Sequence, residues 1–586
     1  MKIKSIIIFG KNGQVASDLL KIFSIKKKFN IINYSSKDID FSDLKDLTKF
    51  LIKLPKSDLI INATAYNQVD KAEDEKELAE AINHKAVSLI AKYCKKNDVR
   101  LIHYSTNYVF DGKGKKPYKE DNTTNLKPLG IYGKSKLNGE KAIIKSNCDY
   151  LIFRVATVYN LNQENNFVNK IKKLAKTNKE LKIVNDQVCN PINSYDIAEN
   201  TIKIIEELQE KSKFKEIYHL VSKKSLSYRD FAKKITNNIK GLKITPVSSD
   251  HFPTKAKRPL NGALDCGKIK KDFNIEIQNN YKDVTIIIVT YNSSHIVGQA
   301  LKNIINKGYR IVIIDNGSND NIQKYLQDNF KGSGIKLISL ENNIGFGRAN
   351  NLALKEVTTN YAFLLNPDAI INEKSIDNLI RKAKKDNRIA LAGAIDVKKE
   401  KIAKSDIEES IKNYKENIKI ISENKDYLEV KFLCGGYLLL KMKSFQKIGF
   451  FNEDLFLYGE DEDICDRVIK NGYKNILVKD SVVWHNDHSS TKTHGIIAKY
   501  LLLYKRYYYM GWSRTYLKRS SVKKRQIWSH LIRQFFSSFL YLPLLDFKKF
   551  TKRVARSFGG LSNLFGTDCF NKNNRNPKIK SQNTVY

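Results

Sequence analysis

The sequence has 586 residues, which is too long for one hydrophobic core and indicates two or three domains. Its formal net charge of +41 is compatible with binding to nucleic acid or to an anionic membrane, but also with a plain bias in composition, because lysines are spread along the whole chain. The seven cysteines are odd in number and form no Cys-x-x-Cys pair, which argues against a disulfide framework or a structural zinc site.

The first residues lead directly into a strand pattern, without an apolar signal segment. No run of about 18 uncharged apolar residues, the length needed to cross a bilayer, occurs in the sequence. We therefore expect a cytoplasmic protein that is soluble or, at most, peripheral on the inner face of the cytoplasmic membrane.

The first predicted element is a buried strand at Ile3–Phe9, which leads into a turn rich in small and polar residues. A helix pattern follows, so the backbone N–H groups of the turn and of the helix start can bind a pyrophosphate. Ala16 stands where dinucleotide-binding turns usually carry their third glycine. The candidate cofactor-binding residues of this turn are Gly10, Lys11, Asn12, Gly13, Gln14 and Val15.

The second strand, near Phe29–Tyr34, ends without the acid that would bind a ribose 2′-hydroxyl. Ser35, Ser36 and Lys37 follow it instead, which permits NADP as the cofactor. A further strand begins at Asp58 and ends in small residues, where a dinucleotide can pass close to the backbone. These small residues are Ala63, Thr64 and Ala65.

Two later segments carry groups suited to proton transfer. The strand that starts at Leu101 ends in the hydroxyls of Ser105 and Thr106. Tyr132 and Lys136 are four residues apart on a predicted helix and therefore lie on the same face. An ammonium beside a phenol favours the phenolate, so we expect Lys136 to lower the pKa of Tyr132 and to make it a proton donor and acceptor near neutral pH.

Together these segments resemble the extended short-chain dehydrogenases/reductases and, more narrowly, the dTDP-4-dehydrorhamnose reductase family. The resemblance covers nearly all of residues 1–270 and also rests on the stretches 39–43, 61–66, 69–73, 105–112, 186–187 and 256–259. It implies hydride transfer from NADPH or NADH to a 4-keto sugar nucleotide. By this resemblance, Tyr132 protonates the new C4 alkoxide, Lys136 tunes Tyr132 and holds the nicotinamide ribose, and Thr106 hydrogen-bonds the reacting oxygen. Asp40 and Phe41 would flank the adenine.

Two positions depart from the pattern of that family. Asn107 stands where the family usually has Asp, and Thr157 where it usually has Trp. Both positions lie near the sugar in the family, so we take them, with Ser105, as candidate substrate-binding residues, and the identity of the sugar stays open. Some relatives with this fold are regulatory subunits, but the presence of all three catalytic candidates argues against that alternative.

A second α/β pattern starts with the unbroken apolar and β-branched run Val284–Val289, which predicts a parallel strand buried on both faces. Another buried strand follows at Arg310–Ile314, and both strands end in polar side chains. Ligands of open α/β sheets bind at such carboxyl ends, where Asp315 could accept the N3–H of uracil or thymine. The candidate substrate-binding residues here are Thr290, Tyr291, Asn292, Asp315 and Asn316.

A turn at residues 342–351 leads into another predicted helix, and Gly345 and Arg348 are its candidate substrate-binding residues. The next strand ends before the motif Asn366-Pro367-Asp368. A carboxylate exposed after an apolar strand can bind a divalent ion that bridges a diphosphate.

An acidic run extends from Glu460 to Asp463, between aromatic residues and a predicted helix start. A run of acids is most simply a solvated face, but this is an unusual place for one, so Glu460 and Asp461 are candidate site residues. A later strand ends at His485, beside Trp484.

These stretches together resemble the family 2 glycosyltransferases of the A-type fold, in particular the rhamnosyltransferase-like branch, across about residues 283–495. The resemblance implies that Asp315 reads the nucleobase, Asp368 binds Mg²⁺ or Mn²⁺, and Asp461 deprotonates an acceptor hydroxyl for inverting displacement at the anomeric carbon. His485 would complete the metal or diphosphate site. Asn366 stands where many members have Asp, which weakens the expected affinity for the metal.

The last part of the sequence, residues 496–586, alternates basic and bulky apolar residues. Helices at Lys499–Tyr516 and Gln526–Phe550 can lie in a membrane interface, while Arg533 and Pro543 argue against a span. One alternative is that these helices only cap the transferase domain. Another is RNA binding, for which the sequence has no recognisable motif.

The predicted architecture is an α/β chain with an NAD(P)-binding Rossmann domain at residues 1–281, a GT-A type glycosyltransferase domain at 283–495 and a helical extension at 496–586. We predict a bifunctional enzyme of cell-surface polysaccharide synthesis, such as O-antigen synthesis. Its first half would reduce dTDP-4-dehydro-6-deoxy-L-mannose to dTDP-L-rhamnose, and its second half would transfer a deoxysugar to a glycan or polyprenyl-linked acceptor.

Two alternatives to this prediction remain. One is a reductase for another 4-keto-6-deoxy sugar nucleotide, joined to a transferase with an unrelated donor. The other is a non-catalytic NADP-binding scaffold attached to a transferase. Predicted partners are dTDP-sugars and the acceptor, without nucleic acid, and the sequence leaves linkage, oligomeric state and channelling open.

Overall fold

The structure is a computed structural model that describes residues 3–26, 28–161, 163, 166–208, 215–236, 239, 241–398, 403–485, 496–519, 522–541, 546–567 and 578–585. The chain forms two compact units, residues 1–281 and 282–586.

The first unit alternates strands and helices. Its strands are β1 (Ser5–Phe9), β2 (Asn30–Tyr34), β3 (Leu59–Asn62), β4 (Arg100–Thr106), β5 (Tyr150–Val155), β6 (Val158–Tyr159), β7 (Glu180–Val184), β8 (Val188–Cys189), β9 (Ile192–Asn193), β10 (Lys215–His219), β11 (Leu226–Ser227) and β12 (Lys243–Val247). Its α-helices are α1 (Gln14–Lys26), α2 (Leu44–Ile52), α3 (Lys76–Glu80), α4 (Ala86–Lys96), α5 (Ile131–Ser146), α6 (Phe167–Thr177), α7 (Ser194–Leu208), α8 (Tyr228–Thr236) and α9 (Gly267–Phe273). Short 3₁₀ helices lie at Lys71–Glu73, Asn107–Val109, Thr123–Asn125 and Ser249–His251, and a π-helical turn at Ala81–Lys85.

The central sheet of this unit has the order β10-β5-β4-β3-β1-β2, and all its strands are parallel. Successive side chains of a strand point to opposite faces, so Ile6 and Ile8 pack under α1 and α7, whereas Ile7 packs under α2 and α4. The strand order reverses between β1 and β3. A ligand of an open α/β sheet binds at the carboxyl ends of the strands beside such a reversal.

The second unit is built around a larger mixed sheet. Its strands are β13 (Val284–Thr290), β14 (Arg310–Asp315), β15 (Ile335–Leu340), β16 (Tyr361–Leu365), β17 (Ala369–Ile371), β18 (Ile389–Val397), β19 (Ile420–Glu423), β20 (Tyr427–Val430), β21 (Tyr437–Lys441), β22 (Lys474–His485) and β23 (Ile579–Val585). Its α-helices are α10 (Ser294–Lys302), α11 (Ile322–Phe330), α12 (Phe346–Leu354), α13 (Glu373–Lys385), α14 (Lys404–Asn417), α15 (Met442–Ile448), α16 (Glu460–Lys470), α17 (Ile496–Lys518), α18 (Lys524–Ser538) and α19 (Phe547–Leu564), with a 3₁₀ turn at Phe539–Tyr541.

The sheet order is β19-β20-β22-β18-β21-β16-β13-β14-β15-β23, with β17 paired to β22. Strands β16, β13, β14 and β15 are parallel, so their carboxyl ends meet at one edge of the sheet. Helices cover both faces, because Ile286 and Ile288 pack with α10 and α13, and Ile287 packs with α12 and α16. The predicted fold classes, a Rossmann domain followed by a GT-A domain, are confirmed.

The basic C-terminal segment is helical from α17 to α19, and it then contributes β23 to the edge of the sheet, antiparallel to β15. The sequence analysis did not predict this strand. Helices α17 and α19 cross closely at Gly559, where an added Cβ would overlap the carbonyl oxygen of Tyr508. No helix in the described part of the chain is long and apolar enough to cross a membrane.

Candidate active sites

The predicted dinucleotide turn lies at the carboxyl ends of β1, β2 and β3. The backbone N–H groups of Gly10 and Lys11 donate to the carbonyl oxygen of Tyr34 at 2.9 and 3.1 Å. Gly10 has φ +86°, and a Cβ there would lie 2.9 Å from the carbonyl oxygen of Ala63, so only glycine fits. The Oε1 atom of Gln14, the first residue of α1, is buried without a hydrogen-bond partner among the described residues. The close approach of the Gly10 and Ala63 backbones, the start of α1 and the unpaired oxygen of Gln14 all fit a bound dinucleotide.

An acid that the sequence analysis missed lies beside this turn. The backbone N–H and the hydroxyl of Ser35 both donate to Oδ2 of Asp38 at 2.7 Å, and Lys11 Nζ lies 3.9 Å from the same oxygen. These hydrogen bonds lower the pKa of Asp38. Asp40 forms a similar turn, in which its Oδ1 atom accepts from the backbone N–H and the hydroxyl of Ser42. The buried ring of Phe41 packs against the ring of Phe9 with a centroid distance of 5.4 Å. The Ser-x-x-Asp spacing of Ser35 and Asp38 is the sequence pattern that could have predicted this turn.

The three catalytic candidates of this unit meet where β4 ends beside α5. Thr106 ends β4 beside Tyr132 of α5, and its hydroxyl acts to lower the pKa of the Tyr132 phenol. Lys136 donates from Nζ to the carbonyl oxygen of Tyr104 at 2.6 Å and lies 3.3 Å from Nε2 of His103. Tyr132 and Lys136 both lie on α5, as the spacing predicts, and Thr106 lies at the adjoining end of β4.

Their electrostatics differ from the expectation. Burial raises the pKa of Tyr132 to about 12, opposite in direction to the predicted lowering by Lys136. The ammonium is held by Tyr104 instead of the phenol, and its own burial lowers the pKa of Lys136 to about 8. Desolvation therefore dominates both groups, since it penalises whichever form is charged.

Residues far apart in the sequence hold α5 in place. Glu73 accepts from the backbone N–H of Ile131 at 2.9 Å, which satisfies a free donor at the helix start. Arg258 donates to Asp70 at 2.5 Å, so the stretches around 70 and 258, on which the predicted resemblance depended, are in contact. His103, which the sequence analysis also missed, lies between Lys136 and Asn62, with its Nδ1 atom 3.2 Å from Nδ2 of Asn62.

The two departures from the family pattern are explained by local contacts. Asn107 donates from its amide to the carbonyl oxygen of Gly262 at 2.9 Å, a bond that an ionised carboxylate cannot make. Thr157 has φ +43°, and its hydroxyl lies 3.0 Å from the hydroxyl of Tyr228. The Oγ atom of Ser105 is buried without a partner in the described part of the chain, so a polar group of a ligand could bind there.

In the second unit, the candidate nucleotide-binding residues lie at the neighbouring ends of β13 and β14. Asp315 is buried and accepts from the backbone N–H of Ser318 at 3.0 Å, and its burial raises the pKa of its carboxyl group. Asn316 donates from its backbone N–H to the carbonyl oxygen of Thr290 at 2.9 Å. Asn292, with φ +52°, accepts from Asn319 and thereby joins the two loops. The side chain of Tyr291, at the end of β13, is 44% exposed.

The turn before α12 contacts the same group of candidate nucleotide-binding residues. The side chain of Asn316 accepts from the backbone N–H of Ile344 at 2.9 Å and donates to the carbonyl oxygen of Gly345 at 3.3 Å. Arg348 donates from Nε to the carbonyl oxygen of Glu453 at 2.5 Å. This contact connects the turn to the segment that precedes α16.

Asp368 and His485, the predicted metal residues, lie 3.2 Å apart between Oδ1 and Nε2. A second acid, Asp396, lies 3.9 Å from Nδ1 of the same histidine, and its own Oδ1 is buried without a partner in the described ranges. Hydrogen bonds to Asp368 and Asp396 raise the pKa of His485 to about 10. The described residues include no group of three or more His, Cys, Asp or Glu side chains that could hold a metal by itself.

Magnesium is often held by only one or two carboxylates together with the phosphates of a substrate. Asp368, with the orphan oxygen of Asp396 nearby, fits a site of that kind.

The candidate base lies at the start of α16. The backbone N–H of Gly435 donates to Oδ2 of Asp461 at 3.0 Å, and a Cβ at Gly435 would overlap the carboxylate. Oδ1 of Asp461 and Oε2 of Glu460 are buried, and neither has a partner among the residues that the structure describes. Burial raises the pKa of Asp461, and burial together with the Asp461 charge raises that of Glu460. The turn at 434–436, which the sequence analysis missed, thus separates this pair from Asn366.

Helix α17 packs against the segment that leads to this acidic pair. Tyr516 donates from its hydroxyl to Asp454 at 2.6 Å, and Ser513 donates to the carbonyl oxygen of Leu457 at 3.2 Å. Trp512 is buried against Leu455. The C-terminal helices therefore support the loop that presents Glu460 and Asp461.

Comparison with known proteins agrees with this division of the chain. Residues 4–292 match the model of the RmlD substrate binding domain. The dTDP-4-dehydrorhamnose reductase of Salmonella typhimurium is 35% identical over 281 residues, which cover 46% of this chain and 92% of that protein. The chain belongs to the dTDP-4-dehydrorhamnose reductase family. The predicted resemblance is confirmed.

Other proteins that are similar to this reductase family member align with the same, N-terminal half of the chain. The spore coat polysaccharide biosynthesis protein SpsK of Bacillus subtilis is 31% identical over 268 residues, covering 45% of this chain and 90% of that protein. A crystal structure of dTDP-4-dehydrorhamnose reductase from Bacillus anthracis in complex with NADP has 29% identity and a TM-score of 0.43, covering 47% of this chain and 95% of that one.

The other half of this reductase family member matches two models of transferases. Residues 285–449 match glycosyl transferase family 2, and residues 417–489 match the N-terminal domain of galactosyltransferase. The chain is therefore an enzyme that joins an oxidoreductase of the dTDP-4-dehydrorhamnose reductase family to a family 2 glycosyltransferase domain.

Proposed function

We propose that the first unit reduces dTDP-4-dehydro-6-deoxy-L-mannose to dTDP-L-rhamnose with NADPH or NADH, and that the second unit transfers a deoxysugar, rhamnose in the first instance, to a glycan or polyprenyl-linked acceptor. The observation that carries the proposal is the placement of Thr106 at the end of β4 beside Tyr132, with Lys136 on the same helix and the Gly10 turn at the same edge of the sheet.

The residues of the first unit have distinct roles in the proposed reduction. When bound, the nicotinamide would supply the hydride that reduces C4 of the sugar. Thr106 holds the carbonyl oxygen, and Tyr132, which is protonated at neutral pH, donates its proton to that oxygen as negative charge develops on it. Lys136, fixed to Tyr104, places a positive charge beside the phenolate that Tyr132 becomes. The protein thus supplies the proton while the cofactor supplies the hydride.

In the proposed transfer, Asp461 removes the proton of an acceptor hydroxyl through its unpaired Oδ1 atom. The acceptor oxygen then bonds to the anomeric carbon as the bond to the nucleoside diphosphate breaks, which inverts the configuration. Asp315 accepts the N3–H of the pyrimidine. Asp368, with Asp396 nearby, would hold Mg²⁺ or Mn²⁺, which would offset the charge of the diphosphate, while His485, whose pKa of about 10 keeps it protonated, would contact the diphosphate itself.

An alternative substrate for the first unit is another 4-keto-6-deoxy sugar nucleotide. Two observations favour it: the amide of Asn107 is bonded to Gly262, and Thr157 contacts Tyr228 where the family has an indole. We propose that the enzyme acts in the cytoplasm and reaches its acceptor at the membrane surface.

The deciding experiment is NADPH oxidation by the purified full-length chain supplied with dTDP-4-dehydro-β-L-rhamnose. We expect turnover in the parent protein, turnover in the control Tyr93→Phe on α4, and a loss of about 10²-fold or more in Tyr132→Phe. Absence of turnover with both NADPH and NADH would overturn the rhamnose assignment. The reduced product is then offered to the same protein with lipid-linked acceptors, and release of dTDP is compared between the parent and Asp461→Asn.

A further inference from the structure

Helix α18 has two apolar faces, and only one of them is used in packing. Ile527 and Leu531 are buried against Leu564 of α19. On the other face, Ile532 and Phe536 continue into Leu540 at a spacing of four residues, and they are 40%, 66% and 70% exposed. Phe539, which precedes Leu540, and Phe547, the first residue of α19, are 45% and 49% exposed. We call these five side chains the apolar ridge.

A packed aromatic layer supports the ridge. The ring of Phe535 contacts the rings of Phe536, Phe539 and Phe558 at centroid distances of 5.6, 5.5 and 5.6 Å. Phe539 also contacts Phe550 at 5.6 Å. The ridge is therefore a preformed surface, and its exposed rings need little further ordering to bind a partner.

The segments that carry the ridge are rich in cations and almost without opposing charge. The described residues of 522–541 and 546–567 include a single acid, Asp546, which caps α19 and pairs with Lys549 at 3.1 Å. Arg553 and Lys549 lie over the ring of Tyr541 at 4.9 and 5.7 Å. The basic residues of this region are Lys523, Lys524, Arg525, Arg533, Lys548, Lys549, Lys552, Arg553 and Arg556.

We propose that the α18–α19 hairpin docks on an anionic lipid surface, with the apolar ridge between the headgroups and the surrounding cations against lipid phosphates. A second copy of the chain would bring the same positive charge to the interface, which disfavours self-association. Two of the five ridge side chains, Ile532 and Leu540, are aliphatic and offer no stacking surface to nucleic acid bases, and the two most exposed members, Leu540 and Phe536, include only one ring. The biological role of the contact rests on the proposed transfer to a lipid-linked acceptor, but the binding itself does not require turnover.

The test is co-sedimentation of the full-length chain with phosphatidylcholine vesicles, with and without phosphatidylglycerol. We expect binding at least about tenfold tighter to the anionic vesicles and weaker as salt rises. Phe536→Ser combined with Leu540→Ser should weaken this binding by about tenfold or more, as should Arg533→Glu combined with Lys548→Glu.

Two matched controls lie on α2 of the first unit. Ile52→Ser removes an aliphatic side chain that is 77% exposed, and Lys49→Glu reverses an exposed charge, and neither should change vesicle binding. The proposal is overturned by equal binding to both vesicle types, by unchanged binding of the ridge variants, or by binding of single-stranded RNA that the same variants abolish. NADPH oxidation is measured on the same preparations and should be unchanged in the ridge variants. A failure of membrane docking can thereby be told apart from a failure of the proposed reductase.

Discussion

The Nζ atom of Lys136 lies 2.6 Å from the carbonyl oxygen of Tyr104, so the ammonium of Lys136 is bonded to strand β4 and not to Tyr132. The hydrogen bond places the ammonium in a buried position, where its pKa is lowered to about 8. The pKa of Tyr132 is about 12, so the tyrosine stays protonated well above the pH at which the lysine loses its charge.

This relationship predicts an alkaline limb in reductase activity. If the charged lysine is required, kcat/KM for NADPH, which reports on the cofactor-free enzyme, should fall as pH rises through about 8. Lys136→Met should lose activity at every pH, whereas Lys141→Met on the exposed side of α5 should keep the parent profile. A limb that begins only above about pH 10, the ordinary range of lysine, would contradict the role given to Lys136.

A second prediction concerns nucleotide recognition in the transferase half. Asp315→Ala removes the acceptor proposed for the pyrimidine N3–H and should weaken binding of dTDP at that site by about tenfold, the usual effect of losing one hydrogen bond to a charged group. The two halves should contribute two classes of dTDP site to a calorimetric titration of the full chain, and one of these classes should be weakened by this factor in the variant. Asp328→Ala on α11 is the control, and an unchanged titration of Asp315→Ala would exclude this role.

A third prediction concerns the acidic limb of sugar transfer. Burial raises the pKa of Asp461, and a general base must be ionised, so kcat/KM for transfer should rise with pH only above the ordinary range of a carboxyl group, about 4. Asp461→Asn should lower the rate of transfer by about 10²–10⁴-fold at all pH values. Glu462→Gln, an exposed neighbour on α16, should leave both the rate and the limb unchanged. An acidic limb near pH 4 would show that the base is a solvated carboxylate elsewhere.

The fourth prediction concerns the support that α17 gives to the acidic pair. Tyr516→Phe removes the hydrogen bond to Asp454, which is worth about 1 kcal/mol, and loosens the segment that precedes α16. Transfer should slow several-fold and its acidic limb should shift, while NADPH oxidation stays at the parent rate. Tyr500→Phe near the start of α17 is the matched control. Equal losses in both activities would instead indicate a general loss of stability.

The parts of this molecule that the sequence predicted are those with a local pattern. The run Val284–Val289 is apolar throughout because β13 is buried on both faces, and polar residues begin where the strand reaches the binding edge. Tyr132 and Lys136 could be paired because the helical period alone sets their relation.

The parts that the sequence did not predict depend on contacts between distant segments. His103 approaches Lys136 only because β4 and α5 are packed together, and Asp396 approaches His485 only because β18 pairs with β22. The direction of the pKa shift at Tyr132 was wrong for the same reason, since it follows from burial by neighbours that helical spacing does not reveal. Strand β23 is largely polar, so it lacks the apolar run that marked the buried strands.

The pairing of β23 with β15 also bears on how the chain is made. Ile335 pairs with Val585, so the transferase sheet can be completed only after the three C-terminal helices have been synthesised. The reductase sheet needs no residue beyond β10, and it can form while the ribosome is still producing the second unit. During that interval β15 is an open edge, the kind of strand that pairs with other chains. A chain whose synthesis stops before β23 would therefore have a complete reductase sheet and a transferase half that is prone to aggregate through the open edge of β15.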